Sequence, residues 1–200
     1  ADTVTYMAIT EHGYPKERVF GTGTTLDTAR LRHYFGQYYN VNPLSVHGYM
    51  LGEHGNTAFA ALSRLSIAGI SYQELDQYFP QKETPDLPTV SQAIVDTAYD
   101  VFHAKFGVTN AAIGQSAIDI AKSVMLDEKT IFPVTTLIQA GEYGLDRDTA
   151  FSIPCVIGRQ GIERRLLVSL NDDEMTMLNR SADAINANID LVDEIRQQTE

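Results

Sequence analysis

The sequence predicts an α+β domain in which helices pack on short, mostly antiparallel strands. Three observations predict it. Segments with apolar residues at helical spacing occur over 2–12, 25–39, 90–105, 110–127 and from 172 to near the end of the chain. The extended apolar stretches are short, and three of them, near 131–139, 151–157 and 164–169, follow one another without a helix between them. That separation of helices from strands is the mark of an α+β layout. Finally, 200 residues of ordinary globular composition suffice to bury one sizeable core, and the chain holds no repeat and no low-complexity segment.

The elements follow in order. Val4, Tyr6, Met7 and Ile9 give the first helix its apolar positions, and His12-Gly13 stops it. Val19-Phe20 reads as a short strand and Gly21-Thr22-Gly23-Thr24 as a turn. The helix from Thr25 to Tyr39 is ended by Asn40 and by Asn42-Pro43. Val46–Leu51 reads as a strand, Gly52-Glu53-His54-Gly55-Asn56 as the tight loop after it, and Leu62–Ile70 as a further extended segment. Residues 80–88 carry three prolines among charged residues and read as an exposed loop, since helical patterns resume at once. The last helix opens at Asn171-Asp172-Asp173-Glu174, where a cap residue is followed by early acids.

Charge excludes two classes of partner. The chain has 26 acids against 15 bases, a formal charge of -11, and such a field repels nucleic acid and anionic membranes. An anionic substrate therefore needs a cation placed locally by the fold. No apolar run reaches the length of a membrane span. The single cysteine, Cys155, lies in the apolar run Ile153–Ile157, as a buried inert thiol would. One cysteine cannot form an internal disulfide, which fits a reducing cytoplasm. Ala1-Asp2-Thr3-Val4 runs directly into a helical pattern without a methionine, as expected at a fragment boundary.

The glycine-rich stretch Gly21-Thr22-Gly23-Thr24-Thr25-Leu26 begins like a dinucleotide fingerprint but has Leu26 where the third glycine belongs. A turn before a helix is the better reading. No P-loop, HExxH, GxSxG or paired-cysteine pattern is present, and the five histidines are scattered, so no metal is expected.

Two segments carry chemistry. Asp27 and Arg30 are three residues apart at the opening of a helix and share a face, whereas Arg32 points roughly 200° away from Arg30. His54 stands between Gly52 and Gly55 on a loop after a strand, exposed enough to meet a ligand. From these residues alone, a solvated intrahelical ion pair and a loop histidine without a role are the better readings.

Gly23-Thr-Thr-Leu-Asp-Thr-Ala-Arg30-Leu-Arg32 resembles the helix motif of the L-lactate and L-2-hydroxyacid dehydrogenase family, and Leu51-Gly-Glu-His-Gly-Asn56 resembles its catalytic-histidine loop. The 24 positions from Arg30 to His54 match the family's spacing. Asp2-Thr-Val-Thr-Tyr6, Asn42-Pro43-Leu44-Ser45 and Phe106–Gly114 are similar to family stretches too. The similarity covers most of the chain and is weakest around 75–90.

The resemblance implies that the chain, 1–200, is a C-terminal substrate-binding domain, with an N-terminal NAD-binding domain of Rossmann type outside it. It implies His54 as the acid/base, Asp27 as its partner, Arg30 as the carboxylate clamp, Thr109 at the substrate pocket and Ile113 beside the nicotinamide of NAD. Arg32 and His47 match positions through which some bacterial members bind fructose 1,6-bisphosphate at a subunit interface, and members without such control carry the same pair as simple interface residues. The expected reaction is pyruvate and NADH to L-lactate and NAD, in a cytoplasmic homo-oligomer, dimer or tetramer. A 2-hydroxyisocaproate-type or malate-type enzyme is the alternative, because the discriminating lid lies in the other half. That half also carries a second catalytic arginine and an asparagine placed just before Ala1, so the chain alone is expected not to turn over. A non-catalytic oligomerisation or binding module is the rival from another class.

Overall fold

The computed structural model describes residues 1–80, 83–104 and 110–198. Its helices are α1 (Asp2–Thr10), α2 (Thr25–Tyr39), α3 (Leu75–Tyr78), α4 (Leu87–Ala104), α5 (Asn110–Leu126) and α6 (Asp172–Gln197). Its strands are β1 (Val46–His47), β2 (Met50–Leu51), β3 (Phe59–Ala60), β4 (Ser66–Ile67), β5 (Ile70–Ser71), β6 (Thr130–Ile138), β7 (Thr149–Gly158) and β8 (Gly161–Arg165). Every strand pair among the described residues is antiparallel, in three small sheets ordered β1-β4-β5, β2-β3 and β6-β7-β8. The expected α+β class holds, with no parallel pair among the described residues.

Two cores organise the chain. The first is built on β7, the central strand of the large sheet, where nearly every residue is buried regardless of the face it points to. Helices α1, α5 and α6 all pack on this strand. Leu178, Ala182, Ile185 and Ile189 of α6, at helical spacing, meet Phe151, Ile153 and Ile157 in that core. The second core gathers Leu31, Phe35 and Tyr39 of α2 with Val90 and Ile94 of α4 and the small β1-β4-β5 sheet. Phe35 and Tyr39 stack with ring centroids 6.0 Å apart.

The β2-β3 hairpin belongs to both cores. Successive strand residues point to opposite faces, so Leu51 and Phe59 enter the first core while Met50 and Ala60 enter the second. The loop that follows β2 is thereby anchored on both sides.

Several local expectations are corrected. Val19-Phe20 is not a strand; Gly21 alone of this stretch forms a bridge to the sheet, to Thr135. Val46–Leu51 is broken at Gly48-Tyr49 into β1 and β2, which pair in different sheets. Leu62–Ile70 is not continuously extended: a 3-10 turn over Leu62–Arg64 precedes a hairpin whose turn is Ala68-Gly69. β8 starts at Gly161 and ends at Arg165, earlier than the 164–169 stretch. Helix α2 has the expected limits, and α6 opens on a complete capping box between Asn171 and Glu174. Glu174 is fully buried and also accepts the Ser63 amide and hydroxyl, at 2.7 and 2.6 Å.

Candidate active site

The site forms where the start of α2 meets the loop after β2. Two threonines one helical turn apart make that junction. The Thr24 hydroxyl donates to the Met50 carbonyl at 2.6 Å, and the Met50 amide donates to the Thr28 hydroxyl oxygen at 2.9 Å. Both polar groups of one peptide-bearing residue in β2 are thus satisfied by α2. All three residues are buried, so an unpaired group at this seam would carry a desolvation cost of about 1–3 kcal/mol.

Close packing explains the glycines that opened the chain's imitation of a nucleotide loop. Gly23 has φ +52, and a Cβ there would lie 2.6 Å from the Thr135 amide nitrogen and 2.9 Å from the Pro133 carbonyl oxygen. The stretch is pressed against β6 and leaves no room for a pyrophosphate beneath it. It is a turn feeding α2.

Gly52, Glu53 and His54 are each held by a different element. Gly52 exchanges backbone hydrogen bonds with Ser152 of β7, at 3.1 and 2.9 Å. Its φ is +84, and a Cβ would collide with Ser181 of α6. The Glu53 amide donates to the Ser181 hydroxyl oxygen at 3.1 Å, and that hydroxyl donates to the Thr57 carbonyl at 2.6 Å. The Glu53 carboxylate turns back to accept the Thr57 hydroxyl. The His54 amide donates to Asp2 of α1 at 2.8 Å.

The sequence-predicted trio is assembled. His54 Nδ1 lies 2.7 Å from Asp27 Oδ2, and Arg30 Nη1 lies 2.7 Å from Asp27 Oδ1. Asp27 and Arg30 side chains are 9% and 12% exposed, while His54 is 37% exposed. Asp27 thus bridges a histidine that faces outward and an arginine that is mostly enclosed. With Nδ1–H donated to Asp27, Nε2 is left without a partner among the described residues and free to meet a ligand. The hydrogen bond to Asp27 holds the His54 proton affinity above that of an ordinary histidine. Burial opposes it, and the charges of Asp27 and Asp2 add to it.

The remaining expected residues lie elsewhere. Arg32 points away from this trio, 5.9 Å from the Tyr49 ring centroid, and lines a separate cleft with Ser116, Asp119 and Phe132. Its Nε is buried and unpartnered among the described residues. His47 is exposed on β1 and shares no hydrogen bond with Arg32. Ile113 is half-buried in the first turn of α5. Thr109 falls outside the described residues. Cys155 is fully buried, and burial pushes its thiol up to about 12, so it is no nucleophile. No group of three metal-ligating side chains occurs among the described residues, and no helix among them is long and apolar enough to cross a membrane.

Sequence reasoning missed Asp2, Thr24, Thr28 and Ser181 as parts of the site. Nothing in the local sequence marks Asp2, because an acid in the first turn of a helix is ordinary.

The chain is similar to known proteins. Residues 24–195 match the family model of the lactate/malate dehydrogenase alpha/beta C-terminal domain. The chain is 41% identical over 186 residues to an L-lactate dehydrogenase 2 of Clostridium acetobutylicum, covering 93% of this chain and 57% of the relative. It is 40% identical over 189 residues to an L-lactate dehydrogenase of Selenomonas ruminantium, covering 94% and 58%. It is 37% identical over 185 residues to an L-lactate dehydrogenase B chain of Pelodiscus sinensis japonicus, covering 92% and 55%. The chain therefore spans little more than half the length of these relatives. With its histidine, aspartate and arginine joined at the start of α2, it belongs to the lactate/malate dehydrogenase family, of which it carries the C-terminal domain.

Proposed function

We propose that this chain is the substrate-binding and proton-transfer half of an NAD-dependent L-2-hydroxyacid dehydrogenase, and that its substrate pair is pyruvate and L-lactate. The observation that carries the reading is Asp27, which holds a proton donor and a carboxylate-binding group on its two oxygens.

The substrate carboxylate docks on Arg30, whose planar fork offers paired donors that match it. One fork nitrogen already rests on Asp27, which fixes the guanidinium's orientation. Arg30 also supplies the local cation that a chain of net charge -11 needs to hold an anion. Protonated His54 hydrogen-bonds the ketone oxygen through Nε2 and gives that proton to the developing alkoxide. Asp27 keeps the Nδ1 proton in place and stabilises the imidazolium before transfer. In the direction of alcohol oxidation, neutral His54 takes the proton. NADH, when bound, supplies the hydride. The donor set fits the ketone end of such a transfer, whereas the packed Gly23 turn does not serve as a dinucleotide cradle. Ile113 is the residue of this chain proposed to lie against the nicotinamide, with Thr109 at the substrate pocket.

NADH oxidation by the full-length protein, with pyruvate and oxaloacetate side by side, tests the reading. Pyruvate turnover is expected to dominate. A preference for oxaloacetate or a bulky keto acid would keep the mechanism and reassign the substrate. Failure with every keto acid would leave a non-catalytic binding module.

The protein is proposed to act as a cytoplasmic homo-oligomer. Ile118, Met125 and Leu126 on α5, each more than 60% exposed, support a face that the rest of the assembly covers. Arg32 and His47 are proposed to bind fructose 1,6-bisphosphate, a reading supported by the unpartnered Arg32 Nε. Millimolar sugar bisphosphate is expected to lower the KM for pyruvate in the full-length protein, and Arg32→Ala to remove the effect. Identical kinetics with and without it would end that proposal.

A further inference from the structure

We propose that Asp2 is a positioning residue for this reaction, one that fixes the His54 peptide and sets a second negative charge beside the imidazole. The inference rests on the reading of His54 given above. Asp2 is 4% exposed. Its Oδ2 accepts the His54 amide at 2.8 Å, across 52 positions of sequence, and its Oδ1 accepts the Thr135 hydroxyl of β6. A carboxylate is costly to bury without such charge-assisted bonds.

Helix α1 itself does not use this side chain. The cap position is Ala1, and neither Asp2 oxygen caps an amide of its own helix. Both oxygens are turned to other elements, one of them to the loop that carries the acid/base. A latch on that loop needs only an acceptor, which an amide or a hydroxyl provides. A buried charge adds something a latch does not need: it favours the imidazolium. Among the described residues, the charged groups around His54 are Asp27 and Arg30 from α2, Asp2 from α1, and Glu53 in the loop, whose carboxylate faces Thr57. Asp27 acts on the ring directly, and Asp2 acts from the peptide side.

Asp2→Asn separates charge from latch. Asparagine keeps an oxygen for the His54 amide. Its NH2 can donate to the Thr135 hydroxyl oxygen, which can turn its own proton toward Ser152 Oγ, 3.5 Å away. The experiment is a titration of the His54 ring by NMR in the full-length protein, together with the pH dependence of kcat/KM for keto acid reduction. In Asp2→Asn the His54 midpoint is expected to fall. The loss in kcat/KM is expected to reach about three- to tenfold at pH 8 and to shrink toward pH 6, where the ring is protonated regardless. Asp2→Ser, uncharged and smaller, is expected to act in the same direction and stands in where asparagine prevents folding. An unmoved His54 midpoint, with a loss uniform across pH, would overturn the proposal and leave a purely structural latch. A lowered midpoint in a protein that reduces no keto acid would uphold Asp2 and refute the dehydrogenase reading.

Discussion

His54→Ala is expected to lower kcat/KM for pyruvate reduction by about a hundred- to ten-thousandfold, measured as NADH oxidation by the full-length protein. The variant removes the one ring nitrogen that faces outward from Asp27, which on the proposed reading is the proton donor to the developing alkoxide. The wild-type pH profile carries the same information. Hydrogen bonding to Asp27 raises the proton affinity of His54, so reduction is full below the raised midpoint and declines as pH rises through it. Oxidation of the hydroxy acid needs the neutral ring and rises over the same interval. Stability follows the reduction limb, because a raised folded-state midpoint contributes below the unfolded value of the imidazole and is lost as pH climbs past the folded one. His54→Ala should flatten both limbs. Retention of either limb in the variant would assign the acid/base to another group.

Arg30→Lys is expected to reduce kcat/KM by about ten- to two-hundredfold, the equivalent of losing a hydrogen bond to a charged group, and mostly through KM. Lysine keeps the positive charge but not the fork. It must also divide one ammonium between Asp27 and the substrate, whereas the guanidinium keeps Nη1 on Asp27 and has further N–H groups to offer. Steady-state kinetics over a range of pyruvate concentrations separates the two parameters. A fall in kcat with KM intact would mean that Arg30 only holds Asp27, and that the carboxylate binds elsewhere.

How much of this was legible in the sequence depended on range. Helix α2 could be bounded because Asn40 and Asn42-Pro43 terminate a 15-residue pattern, and α6 because Asn171 and Glu174 cap each other locally. The two-residue strands β1 to β5 carry no periodicity of their own. Val46–Leu51 therefore read as one strand, although Gly48 and Tyr49 turn the chain from one sheet to another. The Asp27–Arg30 pair was legible because helical spacing makes those two neighbours. Their union with His54 was not, since it depends on the Thr24 and Thr28 bonds to Met50, which link residues 22 and 26 positions apart. Only the family resemblance pointed to it. Asp2 stayed hidden for the same reason: its partners lie 52 and 133 positions away.

The grip of Thr24 and Thr28 on Met50 has a regiochemical consequence. On the proposed reading, it joins the helix bearing the anion receptor to the strand leading to the proton donor through two buried hydrogen bonds. On that reading the two groups serve a carboxylate and the carbonyl next to it. A 3-oxo acid placed on the same receptor sets its carbonyl one carbon too far along. On the proposed reading, this half of the protein decides which carbon of the chain is reduced.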